Sequence, residues 1–413
     1  MRSSVAAVVL VLAACMSRPS RTAVAVSADQ ARAVRVALHL GVSRVALSAT
    51  GQWRLGDTSG ESTLMRGGDA WIVQRDGANV RATRADGSTL PIRSGPLFAR
   101  PESGESFLTV DGKRYRGDIV VLVRDTGVAV VNRLPIESYL RGVVPLEIGN
   151  RSPEERAAVQ AQAVAARSFT YSRLRDPSAA YDLRASTLDQ VYGGVDVERA
   201  LSDEAIASTR GLVLMYGARP VGAPYFSSCG GRTAAASEVW RSPDEPHLVS
   251  VSDTNPITGR SYCEDAPRAI WNRAFDRPEL TRVLERYLSS YVALPAGGPG
   301  AVRSVEVDGT TSSGRVRAVI VSSDRGRYVL RGNDMRFVLR APGGEILPST
   351  YFSLDAVTAP DGRVSRVTLR GRGNGHGVGM CQWGAIGRAR AGQDFRAILR
   401  TYYPGTSVDA LQR

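Results

Sequence analysis

"SPEERAAVQAQAVAARSFTYSR", Ser152 to Arg173, reads as a helix with a marked beginning. Ser152 is the expected N-cap. Pro153 suits the first helical position, where its missing N–H costs nothing, and Glu155 stands three residues after the cap, where it can return a hydrogen bond. Ala157, Ala161, Val164, Ala165 and Ser168 recur at the spacing of one helical face, and their small size lets another backbone come close. Such a helix belongs at the centre of its domain.

Upstream of it the pattern is different. "VRVALHLGVSRVALSAT", "AWIVQRDGANVRATRADG" and "YRGDIVVLVRDTGVAVVNRL" are short Val/Leu-rich runs punctuated by Gly and Asp-Gly, the signature of strands joined by tight turns. Downstream, "ALSDEAIASTRGLVLMYGARPV" predicts a short helix from Ser202 to Thr209 that turns at Gly211 into a strand. Strand patterns return between Ala301 and Leu369, notably in "GRVRAVIVSS" and "GRYVLRG". The stretch of about 244–300 is rich in Pro, Asp, Ser and Gly with one helical candidate, Pro278 to Val292, and reads as an insertion. The expectation is an α+β fold: a β-rich domain over 31–112, then a mixed domain over 113–413 that carries the insertion.

The chain has 413 residues and a formal net charge of +13, almost wholly from arginine. That charge favours acidic partners, among them nucleic acid, anionic lipid and acidic wall polymer. The N-terminus narrows them. "MRSSVAAVVLVLAAC" combines an early arginine, an apolar run too short for a permanent membrane span, and small residues before Cys15. It reads as an export signal over 1–15, and "LAAC" resembles the bacterial lipobox, whose cysteine is lipidated and becomes the new N-terminus. Residues 16–30 read as a tether. Export to the cell envelope counts against a nucleic-acid partner.

"GNGHGVGMCQWGA", Gly373 to Ala385, does not fit a phosphate cradle. A dinucleotide fingerprint needs glycine at its sixth position, where the three possible starts give His376, Val378 and Met380. A metal reading finds few ligands: His376 has only His39 and His247 as other histidines, and Cys229, Cys263 and Cys381 are too few and too scattered along the chain for a zinc module. No metal and no cofactor is expected.

"LPIESYLRGVVPLEIG", Leu134 to Gly149, holds the candidate for chemistry. Glu147 follows Val143, Val144, Pro145 and Leu146 and comes just before the cap at Ser152, in a turn beside an apolar wall. Partial desolvation there raises a carboxyl pKa, and a carboxylic acid still protonated near neutrality can give its proton to a leaving oxygen. Glu137, at the polar start of a short helix, reads as a solvated residue. Asp182 and Asp189 are the nearest candidates for a second carboxylate.

"NRLPIESYLRGVVPLEI", "AVQAQAVAARSFTY", "DQVYGG", "PYFSSCGG", "EVW" and "GNGHGVGMCQWGA", in this order, resemble the catalytic domain of the stage II sporulation protein D family, shared with the amidase enhancers. The resemblance implies a lytic transglycosylase that cuts peptidoglycan glycan strands, with Glu147 at the family's catalytic glutamate. It also implies action beside a cell-wall amidase or the division machinery, or, in the rival reading, a wall-binding enhancer that does not cut glycan. Some family members carry a structural zinc on additional His and Cys residues, a cluster this sequence lacks. Around Glu147 the expected substrate-binding residues are Arg167 and Tyr171 on the helix, Gln190 and Tyr192 in "DQVYGG", Ser227 and Ser228 before the Gly230-Gly231 pair, and His376 and Gln382 in the glycine-rich segment. In an oxidising compartment one disulfide is expected, Cys229 with Cys263, with Cys229 to Cys381 as the competing pairing.

Overall fold

The computed structural model describes residues 33–60, 62–90 and 95–411. The expected signal segment, Cys15 and the tether lie outside these residues. The architecture is α+β, as the sequence predicts.

Two largely antiparallel sheets form the N-terminal half. The larger has seven strands, running from Leu183–Arg184 through Ala33–Val42, Gly127–Pro135, Asp118–Arg124, Leu97–Pro101 and Trp53–Gly56 to Ser62–Met65. The smaller has five, centred on Arg44–Ala49. Alternate residues point inward as period-two strands require, so Val34, Val36, Val45, Leu47, Trp53, Leu55, Val73 and Val121 bury in one core. Ala33–Val42 pairs along its length with Gly127–Pro135, from Ala33 opposite Pro135 to Val42 opposite Val128. The expected boundary near residue 112 therefore falls inside a shared sheet. The β-rich part and the mixed part have one continuous hydrophobic core, which reaches from Val34 to Val408.

Gly127–Pro135 feeds directly into the helices Ile136–Arg141 and Val144–Ile148, and these lead to the central helix. Its start is as predicted: Ser152 and Glu155 form a capping box, with the Ser152 N–H donating to Glu155 Oε2 at 3.1 Å, although the first turn, Pro153–Glu155, is 3₁₀. Helix Arg156–Arg173 is enclosed far beyond one stripe, since every residue from Ala161 to Ser168 is buried. The short helix and strand downstream also form, as Ala200–Ser208 and Leu212–Tyr216, and the latter pairs with the C-terminal strand Ser407–Ala410.

The insertion is larger and better packed than its composition suggests. Strand Ile270–Asp276 pairs with Val364–Arg372, and Asp276 caps helix Arg277–Tyr287 through a second capping box. A separate core extends from Trp271 to Leu369 and includes Phe275, Leu284, Val319, Leu330 and Val367. Residues expected to be a loop-rich connection thus join the later strands in a unit of their own, inserted before the glycine-rich segment returns to the main core. Among the described residues no helix is long and apolar enough to cross a membrane.

Candidate active site

Glu147 opens onto a cleft of about 650 Å³. Its floor and walls come from three places: Phe169, Ser172 and Arg173 at the end of the central helix, Thr187 to Asp189 and Val191 on the loop after it, and Tyr225, Trp240 and His376 from the C-terminal half. Val144–Ile148 is a single turn of helix with Pro145 near its start, packed by Val143, Val144 and Ile148 against the core, so Glu147 has a rigid base.

The Val191 N–H donates to Glu147 Oε1 at 2.9 Å, and the polar Gln382 amide lies near enough to favour the carboxylate. Both groups favour the carboxylate, yet burial outweighs them and holds the Glu147 pKa above the ordinary carboxyl value. A carboxyl so buried keeps its proton to higher pH than an exposed one, and the Val191 N–H fixes its direction. Gln382 is in turn oriented by Gln162 on the central helix, whose Oε1 accepts from Gln382 Nε2 at 3.3 Å. Gln162 escaped the sequence reading because "VQAQAV" presents it as one polar residue in an alanine-rich helix. Its signal is burial opposite the glycine-rich segment, which only the tertiary fold reveals.

His376 lines the cleft as expected, but both ring nitrogens are engaged. Nδ1 accepts from the Val378 N–H at 3.1 Å, which leaves the proton on Nε2, 3.0 Å from the Tyr225 carbonyl oxygen. The ring lies between Phe226 and Trp240, with centroids 5.3 and 5.2 Å away. Burial first, and the positive charge of Arg336 second, lower its pKa to about 3. His376 is a neutral wall residue and not a proton shuttle. The glycines around it permit close approach: a Cβ on Gly379, at φ +77°, would sit 2.1 Å from the Pro224 carbonyl oxygen, and one on Gly375 2.6 Å from Phe226 Cβ. The segment is a turn-rich wall pressed against Tyr225–Phe226.

A family profile described as stage II sporulation protein matches residues 124–216, the span that contains Glu147, the central helix and Val191, and a profile described as a domain of unknown function matches residues 262–379. An uncharacterized protein of Brachyspira hyodysenteriae is 30% identical over 303 residues, 73% of each chain. Stage II sporulation protein D of Bacillus subtilis is 29% identical over 294 residues, 67% of this chain and 75% of that protein. The amidase enhancer of Bacillus subtilis is 31% identical over 372 residues, 78% of this chain but 50% of its own length, so this chain spans half of that relative. The chain belongs to the stage II sporulation protein D family.

Several residues expected at this family's substrate groove lie elsewhere. Arg167 is fully buried on the central helix, with Nε and Nη2 2.6 and 2.8 Å from the two oxygens of Glu137 and Nη1 3.0 Å from the Leu212 carbonyl oxygen. Glu137, expected in solvent, is buried with it and also accepts from the Gly211 N–H at 3.2 Å. Tyr171 packs half-buried on the main core, while its neighbours Phe169, Ser172 and Arg173 face the cleft. Gln190 is buried and spends its amide internally. Its Oε1 accepts from Thr170 Oγ1 at 2.9 Å, and its Nε2 donates to Tyr225 Oη at 2.9 Å, which fixes the cleft-lining tyrosine. Tyr192 is also buried, donating to Asn132 Oδ1 at 2.8 Å with its ring against Tyr115 and Tyr139. Ser227 acts through its backbone, accepting from the Trp383 N–H at 3.0 Å. Ser228 is buried and its backbone pairs with Asn374. Of the two candidate second carboxylates, Asp189 lines the cleft, whereas Asp182 is buried and clamps Arg35 at 2.7 Å.

The expected Cys229–Cys263 disulfide is not formed. Cys229, Cys263 and Cys381 are free, buried thiols, and the first two sulfurs are 3.5 Å apart, well beyond a bond of about 2.05 Å. The description of the cysteines as scattered holds along the chain but not in space. Phe226 and Met380–Cys381 lie side by side in a short parallel pairing, and the insertion folds back to bring Cys263 against them.

Proposed function

We propose that this protein cleaves the glycan strands of peptidoglycan as a lytic transglycosylase in the bacterial cell envelope, with Glu147 as its single general acid and base. The observation that carries this reading is a desolvated carboxyl, raised in pKa, held at a cleft by the Val191 N–H. The family supports a wall-directed role, since its characterised relatives carry the names stage II sporulation protein D and amidase enhancer.

Protonated Glu147 gives its proton to the glycosidic oxygen as the C1–O bond breaks. The resulting carboxylate then takes the proton of the sugar's own 6-hydroxyl as that oxygen bonds to C1, which closes a 1,6-anhydro ring and returns the acid to its starting state. No water is consumed, and no nucleophile or second base is needed. Phe169, Tyr225 and Trp240 offer apolar faces to pyranose rings, and Arg173 offers a cation to carboxylates on the strand.

The test is incubation of the protein with purified glycan strands in ¹⁸O-water. Anhydro-muramoyl ends without ¹⁸O are expected. Reducing ends that carry ¹⁸O would instead mean a hydrolase, with Asp189 or Glu245 of the cleft as its water-activating base. The name of the half-matched relative favours one rival, an enhancer of a cell-wall amidase that does not cut glycan. Sacculus binding and amidase stimulation with no glycan scission would establish it.

We infer further that the chain is held at a membrane through lipid on Cys15, from the "LAAC" signal. The full-length protein made in a bacterial host is expected to incorporate labelled fatty acid and sediment with membranes. Cys15→Ser should abolish both, and an unlabelled wild-type chain that retains its first fifteen residues would refute the anchor.

A further inference from the structure

We propose that Cys229, Asp253, Cys263 and Cys381 form a closed, tetrahedral zinc site that staples the cleft wall. One ligand atom from each lies within 4.8 Å of all the others, and all four residues are buried. Four atoms around zinc, with Zn–S bonds of about 2.3 Å, are separated by about 3.8 Å along each edge of the tetrahedron. The observed separations are close to this: 3.1 Å from Cys229 Sγ to Asp253 Oδ2, 3.5 Å from Cys229 Sγ to Cys263 Sγ, and none of the six beyond 4.8 Å. Three thiolates and one carboxylate oxygen are a soft, charged donor set suited to zinc.

The surroundings are those of metal-bound thiolates. Cys381 Sγ accepts two backbone N–H groups, from Cys229 and Gly384, each at 3.2 Å, at the start of helix Gln382–Arg390. The Ser261 hydroxyl is 3.2 Å from Cys263 Sγ. Asp253 is divided between two tasks: Oδ2 faces the sulfur of Cys229, while Oδ1 accepts from Tyr402 Oη at 2.7 Å and Arg388 Nε at 3.1 Å. A ligand oxygen on one side and outer partners on the other is how a monodentate carboxylate is held at a metal.

A disulfide would account for two sulfurs and leave a third thiol and a dry carboxylate beside it. The charges also close around a divalent ion. Three thiolates and a carboxylate carry four negative charges, the ion supplies two positive ones, and Arg388 and Arg315 supply the remaining two. Arg315 is fully buried, donates to the Cys229 carbonyl oxygen at 3.1 Å, and has no acceptor for Nε or Nη1 among the described residues. A cation so placed makes sense beside an anionic centre. With four protein ligands there is no open position, so the role is structural. The site joins the "SSCGG" turn, the insertion and the residue preceding Gln382, and thereby fixes the start of the helix that places Gln382 beside Glu147.

The decisive measurement does not depend on glycan cleavage. Full-length protein purified under mild reduction and without chelators is expected to hold about one zinc per chain by elemental mass spectrometry. After the metal is displaced with an organomercurial and the thiols are restored, cobalt(II) should bind at the same ratio, with the thiolate-to-metal charge-transfer and intense visible bands of a tetrahedral site. Cys263→Ser and Asp253→Asn should each lower the bound metal at least tenfold. Because such variants can fail to fold, the wild-type result decides the matter. A folded wild-type chain with no stoichiometric metal, whether its three thiols are free or a Cys229–Cys263 crosslink is recovered, would overturn the proposal.

Discussion

Glu147→Gln is expected to lower glycan cleavage by roughly 10² to 10⁴-fold while leaving sacculus binding intact, because it removes the proton donor and keeps the shape. The glutamine Oε1 can still accept from the Val191 N–H, so the local turn should persist. The pH profile tests the same claim from another side. Burial raises the Glu147 pKa, so the acid form persists above the ordinary carboxyl range, and activity should fall as pH rises through this raised value. Stability follows with the same sign. The folded state holds this proton more tightly than the unfolded chain does, so the contribution is complete below the unfolded pKa and is lost as pH rises through the folded one. In Glu147→Gln that part of the pH dependence of unfolding should disappear. If the variant retained wild-type scission, the assignment of Glu147 would fall; if neither protein cut glycan and both stimulated an amidase, the enhancer reading would stand.

What could be read from sequence here was local, and what could not was long-range. The capping box at Ser152 and Glu155 and the apolar run before Glu147 are short-range signals, and both appear where expected. Gln190 and Tyr192 fail by one residue of parity. Along this irregular loop Asp189 and Val191 face the cleft while Gln190 and Tyr192 are buried in the core. The composition "DQVYGG" cannot show which set is which. Strand Ile270–Asp276 was hidden because its partner, Val364–Arg372, lies almost a hundred residues on, and the cysteine cluster was hidden for the same reason. Arg167 was misplaced by a different error: a helix so rich in alanine is enclosed on nearly every side, so a charged residue within it must find its partner inside the protein.

That partner gives the second large effect. Arg167→Ala is expected to cost about 3–5 kcal/mol of folding stability, because it leaves the Glu137 carboxylate buried with its two guanidinium hydrogen bonds gone and, among the described residues, the Gly211 N–H as its remaining donor. Glu137→Ala should be similarly damaging, since Arg167 would be left charged and fully buried. Chemical unfolding of each variant measures the loss. The double variant Glu137→Leu/Arg167→Met separates an ion-pair effect from simple cavity formation, because replacing both charges by apolar groups of similar volume removes the unpaired charge and should recover much of the stability. A sugar-binding arginine predicts the opposite pattern: Arg167→Ala would then change stability by less than about 0.5 kcal/mol, as substitutions at exposed sites usually do, and weaken glycan binding instead. The geometry favours the first outcome, for Arg167 joins the central helix to the Ile136–Arg141 helix and to the strand beginning at Leu212, and through them supports the turn that carries Glu147.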